Sequence, residues 1–235
     1  MSNIIGKEHF FNDQSICIFT DSSFETENCN GVRLGTVAPS ALVYYKDQLI
    51  DSSFTILHET TTVIGELQAI LLGVMLSYKY RNYRIRLFSD NQFSIYAIRD
   101  YIFEWIRDKR FGSNKKDRIK NEEDIMNIVY YVLSNNIPIE FYHVKGHVNY
   151  KTRSGLKDAI RMFKTSNSYS INEELARHIS KCNCCVDSYS TCMLKLYGED
   201  PKYDTRGLTP AITIGYAPFN IYQYQSLINT NINNR

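Results

Sequence analysis

No stretch of this 235-residue chain approaches the roughly 18 consecutive apolar residues of a membrane-crossing helix. The best candidate, Leu67 to Leu76, is too short and contains Gly73. The N-terminus carries Lys7, Glu8 and Asp13 where a secretory signal would place an apolar core, so an intracellular location away from membranes is expected. Charge of one sign is also lacking. With a formal net charge of +2, only the distribution of charge can speak about partners. Cysteine is too sparse for a disulfide scaffold, and the six present read as thiols or metal ligands in a reducing compartment. No internal repeat is evident.

What is there suits a globular enzyme or binding module. An apolar fraction of 43% is enough for a sizeable core, and the length fits one domain with a tail or a small second unit. Ser15 to Phe24 reads as a first strand, continuously apolar over Ile16 to Phe19 and ending in Asp21-Ser-Ser. Residues 25–40, with Asn28, Asn30, Gly31, Gly35 and Pro39, read as turn chemistry. Ala41 to Ile50 and Ser53 to Val63 read as two further strands in antiparallel hairpins. A helix is expected over Ile64 to Tyr80 with Glu66 in its first turn, a strand over Tyr83 to Asp90, and a helix over Asn91 to Ile106. Glu122 to Asn135 reads as a helix, Pro138 to Val144 as a strand, and residues 149–170 as a basic, Ser-rich loop with a short helix at Leu156 to Phe163. Ile171 to Ser180 reads as the last helix. The order β-β-β-α-β-α-α-β-α predicts an α/β fold: a mixed five-stranded sheet with helices on both faces. Residues 1–181 form the expected domain, with 182–235 as a C-terminal extension.

Asp21 and Asp90 close two apolar strands, Glu66 opens a helix, and Glu173 or Glu174 lies at the start of the last helix. If the strands of Asp21 and Asp90 are neighbours, these carboxylates converge at the carboxyl end of the sheet, where open α/β folds hold ligands. Their mutual repulsion would be relieved by hard divalent cations, Mg²⁺ or Mn²⁺, for which oxygen ligands are suited. Taken singly, a strand-end Asp is a turn or cap residue, and a helix-start Glu is a partner of the helix dipole.

Five segments also resemble ribonuclease H of type 1, together covering roughly residues 15–181. Phe19-Thr-Asp21-Ser-Ser is similar to that family's Thr-Asp-Gly-Ser, and Thr60 to Ala69 to the segment carrying its helix-one Glu. Phe88-Ser-Asp90-Asn-Gln92-Phe resembles Asp-Ser-Gln-Tyr, His143-Val-Lys145-Gly-His147 resembles Val-Lys-Gly-His, and Glu173-Glu-Leu-Ala-Arg177 resembles Asp-Glu-Leu-Ala-Arg. The resemblance implies two metal ions on Asp21, Glu66, Asp90 and Glu173, and hydrolysis of the RNA strand of an RNA/DNA hybrid. It implies proton transfer and product release assisted by His147, and a minor-groove contact from Gln92. This chain departs from the family in its fourth acid, Glu in place of Asp. Thr62 and Val63 replace a pair of Asn, the Gly-rich turn after the first Asp is missing, and about 25 residues separate His147 from Glu173.

Residues 107–120 hold seven cations against two acids. Arg107, Lys109, Arg110, Lys115 and Lys116, with Trp105 beside them, resemble the family's basic protrusion that grips the DNA strand; Lys145 belongs to the same nucleic-acid set. His178, Cys182, Cys184, Cys185 and Cys192 are four-ligand material for zinc, but paired CxxC knuckles are missing, so thiols packed under the tail are the expectation. The extension could dock a protein partner or pack on the sheet. Two rival functions remain: a DNA-directed nuclease or integrase-like enzyme of the same fold, and a non-catalytic binding or assembly module.

Overall fold

The structure, a computed structural model, describes residues 4–29, 32–108, 110 and 119–199. In chain order the elements are β1 (Ile4–Ile5), α1 (Lys7–Phe10), β2 (Ser15–Cys29), β3 (Val32–Tyr45), β4 (Gln48–Phe54) and β5 (Leu57–Thr60). Then come α2 (Thr62–Ser77), β6 (Arg84–Ser89), α3 (Gln92–Tyr96), α4 (Ile102–Arg107), α5 (Glu122–Ser134), β7 (Ile139–His143), α6 (Arg153–Asn167), β8 (Ser170–Ile171) and α7 (Glu173–Tyr197).

The main sheet has the order β4-β3-β2-β6-β7, with β5 pairing β3 as a sixth strand. β2, β6 and β7 run parallel; β2, β3 and β4 are antiparallel. Period-two alternation gives the sheet two apolar faces. Ile16, Ile18, Ile85 and Leu87 pack under α2 and α5, whereas Cys17, Phe19 and Phe88 join Phe10, Phe163 and Leu175 under α1, α6 and α7. The second face is aromatic: Phe88 stacks between Phe19 and Tyr142, at centroid distances of 4.7 and 5.3 Å. Arg86 is buried in it. Its Nη1 donates to the Phe10 carbonyl (3.1 Å) and to Ser15 Oγ, and Glu140 lies 3.4 Å from its Nε, so this buried charge is compensated.

The mixed sheet covered on both faces is as expected, but several boundaries differ. Outside Asn30 and Gly31, which lie beyond the described residues, 25–40 is strand and not turn: β2 and β3 stay paired from Ile16↔Tyr45 out to Cys29↔Val32. Pro39, which has no N–H to give to the ladder, sits opposite Ser22, and its carbonyl accepts from Thr55 N at 3.0 Å. The strand expected over Ser53 to Val63 divides into the end of β4 and the short β5, and Thr62 already begins α2.

The helical stretch Thr62–Tyr80 is longer than the Leu67–Leu76 segment, and by length and composition alone it could cross a membrane. Its apolarity has a use inside the fold: Leu67, Ile70 and Val74 are fully buried against the sheet. The expected single helix over Asn91 to Ile106 is α3 and α4 joined by a wider π-type turn, Ala97–Tyr101. The short helix expected after residue 149 is the four-turn α6. The last helix does not stop at Ser180 but runs to Tyr197, so the boundary expected at 181 falls inside it. Ile179, Cys182, Val186, Ser190 and Leu194 are all buried, an apolar stripe in which Cys and Ser act as small packing residues.

Candidate active site

Parallel pairing of β2 with β6 ends at Thr20↔Ser89, so Asp21 and Asp90 follow at the same level on adjacent strands. Asp90 closes its strand as expected. Asp21 does not, because β2 continues past it, paired to β3 as Asp21↔Ser40. Ser22 N donates to Asp21 Oδ1 at 2.7 Å, which fixes that carboxylate. Behind Asp90, Asn91 caps α3 by accepting from Ser94 N at 2.9 Å, and His143 Nε2 lies 3.2 Å from the Asp90 carbonyl. The backbone of Asp90 is thus held from two sides while its carboxylate faces the neighbouring strand.

Glu66 arrives from the other layer. Thr61, rather than Ile64, opens α2, its Oγ1 accepting from Ile64 N at 3.4 Å, which puts Glu66 in the second turn and off the helix N-terminus. The close approach of α2 to β2 depends on glycine. A Cβ at Gly73 would meet Thr20 and Leu87, and one at Gly65 would meet Ser22. With that approach, Asp21, Glu66 and Asp90 each offer an oxygen within 4.8 Å of the others.

Burying Asp21 and Glu66 beside a third carboxylate is unfavourable, and the cost appears in the titration of those two. Burial, reinforced by the Asp90 charge, pushes Asp21 up to about 7. Burial and then the charges of Asp21 and Asp90 hold Glu66 well above the usual carboxylate range. In the metal-free protein Asp21 therefore binds more protons folded than unfolded. Its contribution to stability is full below its unfolded pKa of about 4 and is lost as pH rises through about 7. Thermal melts in chelator are expected to show the site losing stability from pH 5.5 to pH 8, and saturating Mg²⁺ is expected to restore most of the loss at pH 8. A melting temperature unaffected by Mg²⁺ at pH 8 would contradict this.

The donor set fits a hard divalent cation. All its atoms are oxygens, and Glu66 Oε2, Ser22 Oγ and Asn183 Oδ1 are buried there without a hydrogen-bond partner. Among the described residues no other group of three His, Cys, Asp or Glu has its ligand atoms this close. His178 and Cys182 are a weaker pair at 3.7 Å, and burial pushes the Cys182 thiol up to about 12, unlike a thiolate ligand. Cys184, Cys185 and Cys192 are exposed on α7.

The structure does not bring Glu173 to the cluster. It is exposed at the first position of α7, as is Glu174 at the second, ten residues before Asn183 and so about 15 Å away along the helix. The α7 residues that do reach the site are Asn183, whose Nδ2 donates to Asp90 Oδ2 at 3.2 Å, and Asp187, whose charge acts on Asp21. Asp187 Oδ2 also lies 3.8 Å from His147 Nδ1. Asn183 and Asp187, four residues apart on one helix face, were missed from sequence; the signal was a pair of polar residues beside an otherwise apolar stripe.

His147 is 84% exposed and sits at φ 50°. The loop before it passes so close to Asp90 that a Cβ at Gly146 would overlap the carboxylate. Gly146→Ala is expected to displace Asp90 and weaken Mg²⁺ binding by the three acids at least about tenfold, read by isothermal titration, because groups that orient a ligand carboxylate affect metal affinity that much. Lys145 is half-buried on the same loop, and Gln92 is exposed at the first position of α3. Trp105 is half-buried, 5.8 Å from Tyr101. Arg107 is paired with Asp108 at 2.9 Å, and Arg110 is exposed. Lys109, Lys115 and Lys116 lie outside the described residues, as does the tail beyond Glu199.

The family model for RNase H matches residues 12–155, which include Asp21, Glu66, Asp90 and His147. The chain belongs to the RNase H family. No curated protein matches the chain. Among solved structures, a foamy viral protease–reverse transcriptase in complex with an RNA/DNA hybrid is 10% identical, over 72% of this chain and 21% of that one, with a TM-score of 0.49. LC9-RNase H1, a type 1 RNase H with the type 2 active-site motif, is 15% identical over 66% and 74%, also at 0.49. The PFV RNase H domain is 19% identical over 67% and 96%, at 0.47. The family match ends at the start of α6, so the RNase H segment it defines contains neither Glu173 nor Asp187.

Proposed function

We propose that this RNase H domain is a metal-dependent endoribonuclease that hydrolyses the RNA strand of RNA/DNA hybrids. The observation that carries the reading is the meeting of Asp21, Glu66 and Asp90 from three elements within 4.8 Å, where burial raises the proton affinity of Asp21 and Glu66. Asp187 takes the fourth position in place of Glu173. Two Mg²⁺ or Mn²⁺ ions held there would supply an activated water and stabilise the leaving oxygen of a phosphodiester. Asn183 orients Asp90 through its amide. His147, exposed beside Asp187, is placed to carry a proton between the site and solvent. Gln92, Lys145 and Trp105 border the hybrid, whose 2′-hydroxyls distinguish RNA from DNA.

The test is an end-labelled substrate panel of RNA/DNA hybrid, duplex DNA and duplex RNA, each in Mg²⁺ and separately in Mn²⁺. RNA-strand cleavage confined to the hybrid is the expected result. Cleavage of duplex DNA alone would replace the reading by an integrase-like one. Hybrid binding without cleavage in either metal would make the domain a non-catalytic module.

A further inference from the structure

All but the first three residues of α6 lie beyond the RNase H match, and the catalytic reading makes no use of this helix. Its inner face is apolar: Leu156, Ala159 and Phe163 are buried in the aromatic core, with Phe163 stacked on Tyr142 at 6.0 Å. Its outer face is cationic. Arg153, Lys157, Arg161 and Lys164 are all exposed. At 3.6 residues per turn these four fall within about 80° of rotation, and the stripe is about 16 Å long. The helix holds one acid, Asp158, and it engages only Arg161, at 2.9 Å. Arg153, Lys157 and Lys164 have no carboxylate at ion-pair distance among the described residues.

Both ends of this stripe are tied to the active site. Only residues 148–152 separate His147 from Arg153. At the other end Asn167 clasps the end of β7: its Oδ1 accepts from His143 N at 3.0 Å, and its Nδ2 donates to the His143 carbonyl at 2.7 Å. Ser166 Oγ lies 2.8 Å from His143 Nδ1, on the same ring whose Nε2 supports the Asp90 backbone. Arg99 adds a second clasp, donating to the Ser166 carbonyl (2.8 Å) and to Asn167 Oδ1 (3.0 Å). A row of cations fixed this firmly to the floor of a nuclease site has the chemistry of a rail for phosphates.

We propose that α6 is a nucleic-acid-docking helix whose Arg153, Lys157, Arg161 and Lys164 bind the phosphodiester backbone of the hybrid beside the cleavage site. The inference rests on the hybrid-nuclease reading and gives it a binding element of this chain's own. At one phosphate per roughly 3.4 Å on each strand, the stripe spans about five phosphates, and the contacts are independent of sequence.

The test is hybrid affinity, by fluorescence anisotropy across a salt series, in the Asp90→Asn background that keeps the hybrid intact. The Arg153→Ala, Lys157→Ala, Lys164→Ala triple variant changes exposed helix positions to the strongest helix former, so circular dichroism is expected to be preserved. Each lost phosphate contact lowers the salt slope by about 0.9, so a slope shallower by about 3 is expected, with affinity down at least tenfold at low salt. The charge-preserving triple Arg153→Lys, Lys157→Arg, Lys164→Arg is expected to keep the slope. An unchanged slope in the alanine variant would overturn the proposal. Loss of slope, when the protein with Asp90 intact cleaves no hybrid in Mg²⁺ or Mn²⁺, would instead sink the nuclease reading and leave α6 as a nucleic-acid contact.

Discussion

Asp90→Asn is expected to reduce hybrid cleavage by about 10³-fold or more while raising the melting temperature of the metal-free protein. The substitution keeps the shape of the side chain. It also leaves the supports of the backbone in place, with Asn91 capping α3 and His143 at the Asp90 carbonyl. What it removes is one of three charges that share a space of 4.8 Å. Without metal those charges repel, and the Asp90 charge is the largest influence on Asp21 after burial, so neutralising it favours the fold. With metal bound the same charge would help to hold the cations, and losing several kcal/mol of transition-state stabilisation would cost three powers of ten. Opposite signs in stability and activity separate a lost ligand from a misfolded domain. Unchanged turnover in this variant would end the assignment of the acids as metal ligands.

The second large effect concerns the fourth acid. Asp187→Asn is expected to slow single-turnover cleavage at least about 10²-fold, whereas Glu173→Gln should stay within about twofold of the parent. Asp187 acts on Asp21 and lies beside His147, while Glu173 stands about 15 Å along α7 from the nearest residue that touches the site. Raising Mg²⁺ should partly recover the Asp187→Asn protein, since a weakened ion site fills by mass action. The reverse pattern, with Glu173→Gln inactive and Asp187→Asn normal, would make Glu173 the fourth acid and contradict the role given to Asp187.

The contrast between these residues shows what the sequence makes legible. Asp21 and Asp90 each follow an apolar run, and Glu66 sits in a long helical segment, so local pattern is enough to find them. Glu173-Glu-Leu-Ala-Arg177 offered a local likeness as well, but at a point where the chain had not yet come back to the site. With α6 between β7 and α7, the chain reaches the site only at Asn183, ten residues into α7, and only the third dimension reveals that. The Cys-rich run from 182 to 192 conceals the continuation: its thiols read as packing under a separate tail, whereas Cys182 is a small residue on the buried stripe of α7 itself. Asn, Gly and Pro over residues 25–40 misled in a related way. Cross-strand pairing overrode turn propensity through the hairpin, which carries β2 past Asp21 and leaves that acid in mid-strand.

The most direct measurement is the chemistry of the RNA ends left by cleavage of a hybrid in Mg²⁺. If Asp21, Glu66, Asp90 and Asp187 hold metal ions that activate a water, cleavage would leave a phosphate on one fragment and a free hydroxyl on the other, with no cleavage in chelator. That is the expected result. A 2′,3′-cyclic phosphate, or cleavage that persists in chelator, would mean that the RNA's own 2′-hydroxyl is the nucleophile and would contradict the account.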